Sequence, residues 1–302
     1  MRFAGFARFA RFAGFARFAF LFVAIALLAP VEGAQARNFL WKATGRQNAI
    51  YLVGSVHMLT RDYYPLNPAL DAAFTESNLL VEEADLGEML SPESQLTLLA
   101  RVMLASSQSL DTVLSPATYA LVTTHVTGLG VPIEPLKRFK PWYVALTLLG
   151  LEWQKAGFDP ELGLDRHFYD RAKGEGKEVQ GLETAAYQIS RFDELTMEQQ
   201  DRLLAESLKE LGTEQANVTT LASAWRAGDA AAVERIVLQG VKDDPLMYQR
   251  LLVDRNRNWF PRLESLFARR GHAFVLVGAA HLVGPDGLLT MLRAKGYSVE
   301  QQ

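Results

Sequence analysis

The sequence predicts an α/β fold, a mixed sheet interrupted by long helical excursions, and three observations predict it. Residues 49–59 read AIYLVGSVHML and residues 273–282 read AFVLVGAAHL, so Leu52, Val53, Gly54 and His57 match Leu276, Val277, Gly278 and His281. Each copy is an apolar run ending in Gly-x-x-His, the pattern of a buried strand that delivers an imidazole at its carboxyl end. Two further strand-like runs, 78–86 and 177–182, are separated from these by stretches of helical periodicity. Ligands of open α/β sheets bind at the carboxyl ends of strands, so two such deliveries predict one site built by two halves of a sheet.

The elements follow in order. Residues 38–44, a turn at 45–48 and the first Gly-x-x-His strand read as a hairpin, with Gly45 as the permissive turn residue. Asn67-Pro68 is a cap followed by proline at the first helical position, and Leu66, Leu70, Ala73 and Phe74 recur at helical spacing. In the run 78–86, Leu79, Val81, Glu83 and Asp85 share one side and Leu80, Glu82 and Ala84 the other. An acid at the end of an apolar strand is unusual, and Glu83 or Asp85 is expected to point toward His57. Ser91-Pro92 and Ser115-Pro116 open helices, and Phe139-Lys140-Pro141-Trp142 opens one so apolar that heavy burial is expected. Gly163-Leu164-Asp165 begins another helix, the strand 177–182 carries Glu183 and Thr184 at its carboxyl end, and a polar cluster, Arg255-Asn256-Arg257-Asn258-Trp259, lies near the end of a later helix. A helix over 286–295 and a strand over 297–300 close the chain. Trp142, Trp153 and Trp225 read as core, and Tyr63 and Tyr64 as residues at a cleft mouth.

Composition bounds the function. The chain has 302 residues, 49% of them hydrophobic, enough for a substantial core. Residues 1–36 carry four arginines, then an uncharged apolar run, then Ala34-Gln35-Ala36, which are the three parts of a cleavable export signal with cleavage expected after Ala36. The uncharged run is shorter than the roughly 20 residues of a spanning helix, so the membrane is expected to matter only before cleavage. The remainder, 37–302, is expected to be a single α/β domain with helical insertions at about 91–160 and 189–262. Without the signal, 27 basic stand against 33 acidic residues, a balance that disfavours nucleic acid. There is no cysteine, so any metal must be held by His, Asp or Glu.

With both Gly-x-x-His motifs, Phe139-Lys140-Pro141-Trp142, Gly163-Leu164-Asp165, Gly181-Leu182-Glu183-Thr184 and Arg255-Asn256 before Trp259 in view, the chain resembles the TraB/GumN family. That family includes the Tiki metalloproteases and is distantly similar to the erythromycin esterase and ChaN-like group. The resemblance covers essentially all of residues 37–302. It implies a pseudo-symmetric mixed sheet from two related halves, each giving one histidine to a shared cleft, and it places the family's Glu-x-Asp on Glu83 and Asp85. The activity implied through the Tiki branch is that of a metal-dependent hydrolase, peptidase-like, acting on a peptide or protein substrate, and the signal segment makes the expected location periplasmic or secreted.

Two imidazoles and a carboxylate can bind a divalent transition metal and leave a position open for water. On this reading His57, His281 and Glu83 are the metal ligands, with Mn, Co and Zn as candidate ions, and Glu183, with His57 and His281, is catalytic, Glu183 as general base. Whether Glu83, the neighbouring Glu82 or Glu183 is ligand or base stays open. Arg255, Asn256 and Asp165 are the expected substrate-binding residues, with a structural Arg255–Asp165 pair as the competing reading. Two further functions compete: a metal-independent esterase-like hydrolase using histidine and carboxylate, and a non-catalytic periplasmic protein that binds a ligand or haem or is regulatory.

Overall fold

The computed structural model describes residues 38–302 apart from 212–214 and 243. The expected signal segment and its cleavage after Ala36 lie outside the described residues. Among those described, six strands form one mixed sheet: β1 (Leu40–Thr44), β2 (Ala49–Ser55), β3 (Ser77–Ala84), β4 (Glu178–Glu183), β5 (His272–Gly278) and β6 (Ser298–Gln301), in the order β4-β3-β5-β2-β1-β6. The four strands from β4 to β2 pair in parallel, while β1 pairs antiparallel with both β2 and β6. Parallel strands are covered on both faces, which is why β2 and β5 read as continuous apolar runs rather than alternating ones. Ile50, Leu52, Val53, Phe274, Val275, Leu276 and Val277 are fully buried, and each such side chain contributes about 1.5–3 kcal/mol relative to exposure.

The two Gly-x-x-His strands are direct neighbours, with Gly54 opposite Val277 and Ser55 opposite Gly278. Because β2, β3, β4 and β5 run the same way, His57, Glu82 and Glu83, Glu183 and His281 all emerge at one edge of the sheet. The motifs diverge after their glycines. His57 lies in irregular chain, whereas His281 sits inside a short helix, Ala279–Leu282.

The cap-then-proline starts form as expected. Asn67 accepts from the Ala69 N–H, Ser91 from Ser94 and Ser115 from Thr118, each just before a helix whose first residue is proline. The helix Pro141–Lys155 departs from expectation because it buries one face only. Trp142, Val144, Ala145 and Leu148 are inside, while Leu146 is 41% exposed. Its apolar face packs on the helix Met197–Leu211 and, with Leu110, Val122, Leu204 and Leu208, builds a second hydrophobic cluster away from the sheet. A helix with neighbours on one side has no means of covering the other. Trp142 and Trp225 are buried and Trp153 is partly so. Tyr63 is buried against Trp225, and Tyr64 donates to the Leu162 carbonyl, so both serve packing.

Candidate functional site

His57 is presented to solvent, its side chain 63% exposed, and its Nδ1 is 2.8 Å from Asp165 Oδ2. Asp165 reaches it because the helix Leu164–Gly174 docks on the end of β2, where the Leu164 N–H donates to the Val56 carbonyl. Gly163 makes that approach feasible, since a Cβ there would collide with the His57 carbonyl. The charge of Asp165 is the main cause of a His57 pKa raised to about 9. Nδ1–H then points at the carboxylate and Nε2 is left for chemistry, the arrangement by which a carboxylate orients a working imidazole.

His281 is placed differently. It is buried, and its Nδ1 lies 2.7 Å from Asn256 Oδ1. Asn256 donates through Nδ2 to the carbonyls of His281 and Asp286, so its Oδ1 accepts and the His281 proton is assigned to Nδ1. The Nε2 lone pair accepts from Arg255 Nη1 at 3.0 Å. Burial, with no proton needed by either neighbour, lowers the His281 pKa to about 3.

Arg255 sits at the centre of this cluster on the helix Asp254–Leu266, which follows a π-helical turn, Gln249–Val253. Its Nε and Nη2 donate to Glu183, Nη2 also to Glu83, and Nη1 to the Leu251 carbonyl and to His281. These contacts use all five guanidinium hydrogens. Glu183 receives a further bond from Trp259 Nε1 at 2.7 Å, and Trp259 packs on the His281 ring. Glu83 accepts from the Gly278 N–H at 2.7 Å and from Gln188 Nε2 at 3.0 Å. Burial alone would raise the Glu83 pKa, but Arg255, the two histidines and the Gly278 N–H outweigh it and hold the carboxyl well below the usual range. Gly278 leaves the space that these groups share: a Cβ there would lie 3.1 Å from Glu83 Oε1 and 3.7 Å from both His57 Nε2 and His281 Cδ2.

The expected residues therefore converge, but in roles other than those expected for several. Asp165 orients His57 and is not paired with Arg255. Arg255 donates to Glu83, Glu183, His281 and the Leu251 carbonyl, which leave it no donor for a substrate, and Asn256 spends its amide on His281 and the Asp286 carbonyl. Glu183, the expected base, accepts from Arg255 and from Trp259. Asp85 accepts from the Gly87 N–H and caps the short helix Leu86–Met89, outside the cluster. Sequence reasoning missed Gln188, Trp259 as a donor to Glu183, and the role of Glu82. Glu82 is buried, its Oε2 accepts from the Leu86 N–H, its Oε1 has no partner, and burial raises its pKa to about 8. Its position beside Glu83 on the strand was the available signal.

The proposed ligands His57, His281 and Glu83 do not fit a divalent ion as they are arranged. The His281 Nε2 lone pair and Glu83 Oε2 both face the Arg255 guanidinium, a cation already held where those donors meet. Among the described residues, no group of three or more His, Asp or Glu side chains is placed to hold an ion. A cavity of about 410 Å³ opens from the cluster, lined by His57, Glu82, Glu83 and Asp165 and, farther out, by Leu86 and Met89.

A family model, described as the TraB/PrgY/gumN family, matches residues 39–301. The chain belongs to that family. An uncharacterized protein, YbaP, of Escherichia coli (strain K12) is 27% identical over 252 residues, covering 80% of this chain and 87% of YbaP, and YbaP of Shigella flexneri matches to the same extent. The Danio rerio protein named Metalloprotease TIKI1 is 24% identical over 318 residues, covering 87% of this chain and 63% of TIKI1. No solved structure matches the chain at the same stringency. Family membership and the distant likeness to TIKI1 hint at hydrolase-like chemistry.

Proposed function

We propose that this chain is an exported hydrolase of peptide or protein substrates in which His57, oriented by Asp165, takes the proton from an attacking water. The observation that carries the reading is the 2.8 Å His57–Asp165 contact at the mouth of the cavity, with His57 Nε2 turned toward the gap left by Gly278. Neutral Nε2 accepts the proton as water attacks the carbonyl carbon, and Asp165 stabilises the imidazolium that results. The same nitrogen then returns the proton to the leaving amine. Glu83, kept ionised, favours the imidazolium from the other side, while Arg255 neutralises the buried carboxyls and fixes their positions. Because His57 holds its proton up to about pH 9, turnover rises with pH over that range. The likeness to TIKI1 supports a second reading in which a divalent ion is bound, which requires Arg255 to withdraw from His281 and Glu83.

The test is turnover of a fluorogenic peptide panel by the purified protein and by His57→Ala. A fall of about 10²–10⁴-fold in the variant, with unchanged folding, is expected for loss of a general base. Hydrolysis that is the same in both proteins would overturn the assignment of His57. No hydrolysis of any peptide by the wild type, together with saturable binding of haem, would favour the binding-protein reading instead.

A further inference from the structure

On the other side of His57 and Glu83 lies a second cavity, of about 210 Å³, which shares those two side chains with the larger one. Its walls are apolar, formed by Trp153, Leu221, Trp225 and Val237. Among the described residues, the charged or titratable groups lining it are His57, Glu83, Arg255 and His281, all members of the candidate site. The space is several times the roughly 30 Å³ share of one water, enough for a single side chain.

Trp225, across the cavity, donates its indole N–H to the Gly54 carbonyl and is fixed as a wall. Ser55 and Trp153 also line the cavity, but Ser55 Oγ and the Trp153 indole N–H are buried away from it and add no polar contact there. Apolar walls and immediate contact with His57 together describe a pocket for an uncharged residue of a peptide.

We propose that this cavity is the specificity subsite: it takes a large aliphatic or aromatic side chain adjoining the scissile bond. The inference rests on the hydrolase reading and adds the substrate class to it. A chain lying across His57 then has one flank in the apolar cavity and the other in the acid-lined one. Leu221→Trp fills the apolar space while keeping the side chains of His57, Glu83 and Arg255.

The experiment uses the whole chain in two assays. Turnover is read on peptides matched except for Phe, Leu, Gly or Asp at each position around the cleaved bond, and binding of N-acetylphenylalaninamide and N-acetylglycinamide is read by calorimetry. The expected result is a preference for Phe or Leu at one position, tighter binding of the phenylalanine probe, and a loss of about tenfold or more in both for Leu221→Trp, larger for the Phe and Leu peptides than for the Gly peptide. Absence of turnover with selective probe binding that Leu221→Trp abolishes would support the cavity and overturn the hydrolase reading. Turnover with no side-chain preference, or equal binding of the two probes, would mean that the cavity holds only ordered water and would overturn the proposal.

Discussion

The two Gly-x-x-His segments share a sequence pattern and adjacent places in the sheet, yet their histidines do opposite work. His57 is exposed, paired with an acid and made easier to protonate; His281 is buried, capped by an amide on one nitrogen and a guanidinium on the other, and made harder to protonate. What differs is the helix that meets each strand end. Leu164–Gly174 brings Asp165 to the first, and Asp254–Leu266 brings Arg255 and Asn256 to the second. A repeated motif thus fixes where an imidazole is delivered, while the partner arriving from a distant helix decides whether it is exposed and readily protonated or buried and neutral.

The largest effect that would break this contrast concerns Arg255. Arg255→Met leaves Glu83 and Glu183 buried without their cation, and a loss of about 3–5 kcal/mol in denaturant unfolding is expected for breaking a buried ion cluster. A near-neutral result would mean that the cluster is not what holds the site. Next is the pair of histidine variants. His57→Ala should lower turnover with stability nearly unchanged, since the ring is solvated, whereas His281→Ala should cost about 1–3 kcal/mol because it leaves the Arg255 N–H and Asn256 oxygen unpaired.

Two pH experiments sharpen the comparison further. Asp165→Asn removes the main cause of the raised His57 pKa, so an NMR titration should show that ring moving from about 9 back toward 6.5 while His281 remains neutral throughout. The smallest expected effect lies at Glu82. Its folded pKa of about 8 exceeds the ordinary 4.5, so the folded state keeps a proton that the unfolded chain releases. Its contribution is then complete below about pH 4.5 and lost as pH rises through about 8. Glu82→Gln should flatten the decline of the melting temperature over that window and leave the acid side unchanged.

The parts of the molecule legible in the sequence are those governed by local pattern. The apolar runs of β2 and β5, the serine or asparagine caps ahead of Pro68, Pro92 and Pro116, and the delivery of His57, Glu83, Glu183 and His281 to one edge all follow from periodicity and strand direction. The pairings were not legible, because each depends on a partner far along the chain. Glu183 meets Arg255 across 72 residues and Glu83 meets it across 172, and no spacing rule links them. The helix Pro141–Lys155 misled for the same reason: its composition suits full burial, but only tertiary neighbours can supply the cover, and they come to one face.

The most direct test is peptide turnover by the wild-type protein before and after exhaustive chelation, with His57→Ala alongside. If His57 and Asp165 activate water beside an Arg255 that stays in place, the chelated wild type keeps its rate and the variant loses it. A chelated wild type that falls to the level of the variant, and recovers with one equivalent of manganese, cobalt or zinc, would contradict the account and place an ion where the guanidinium now sits.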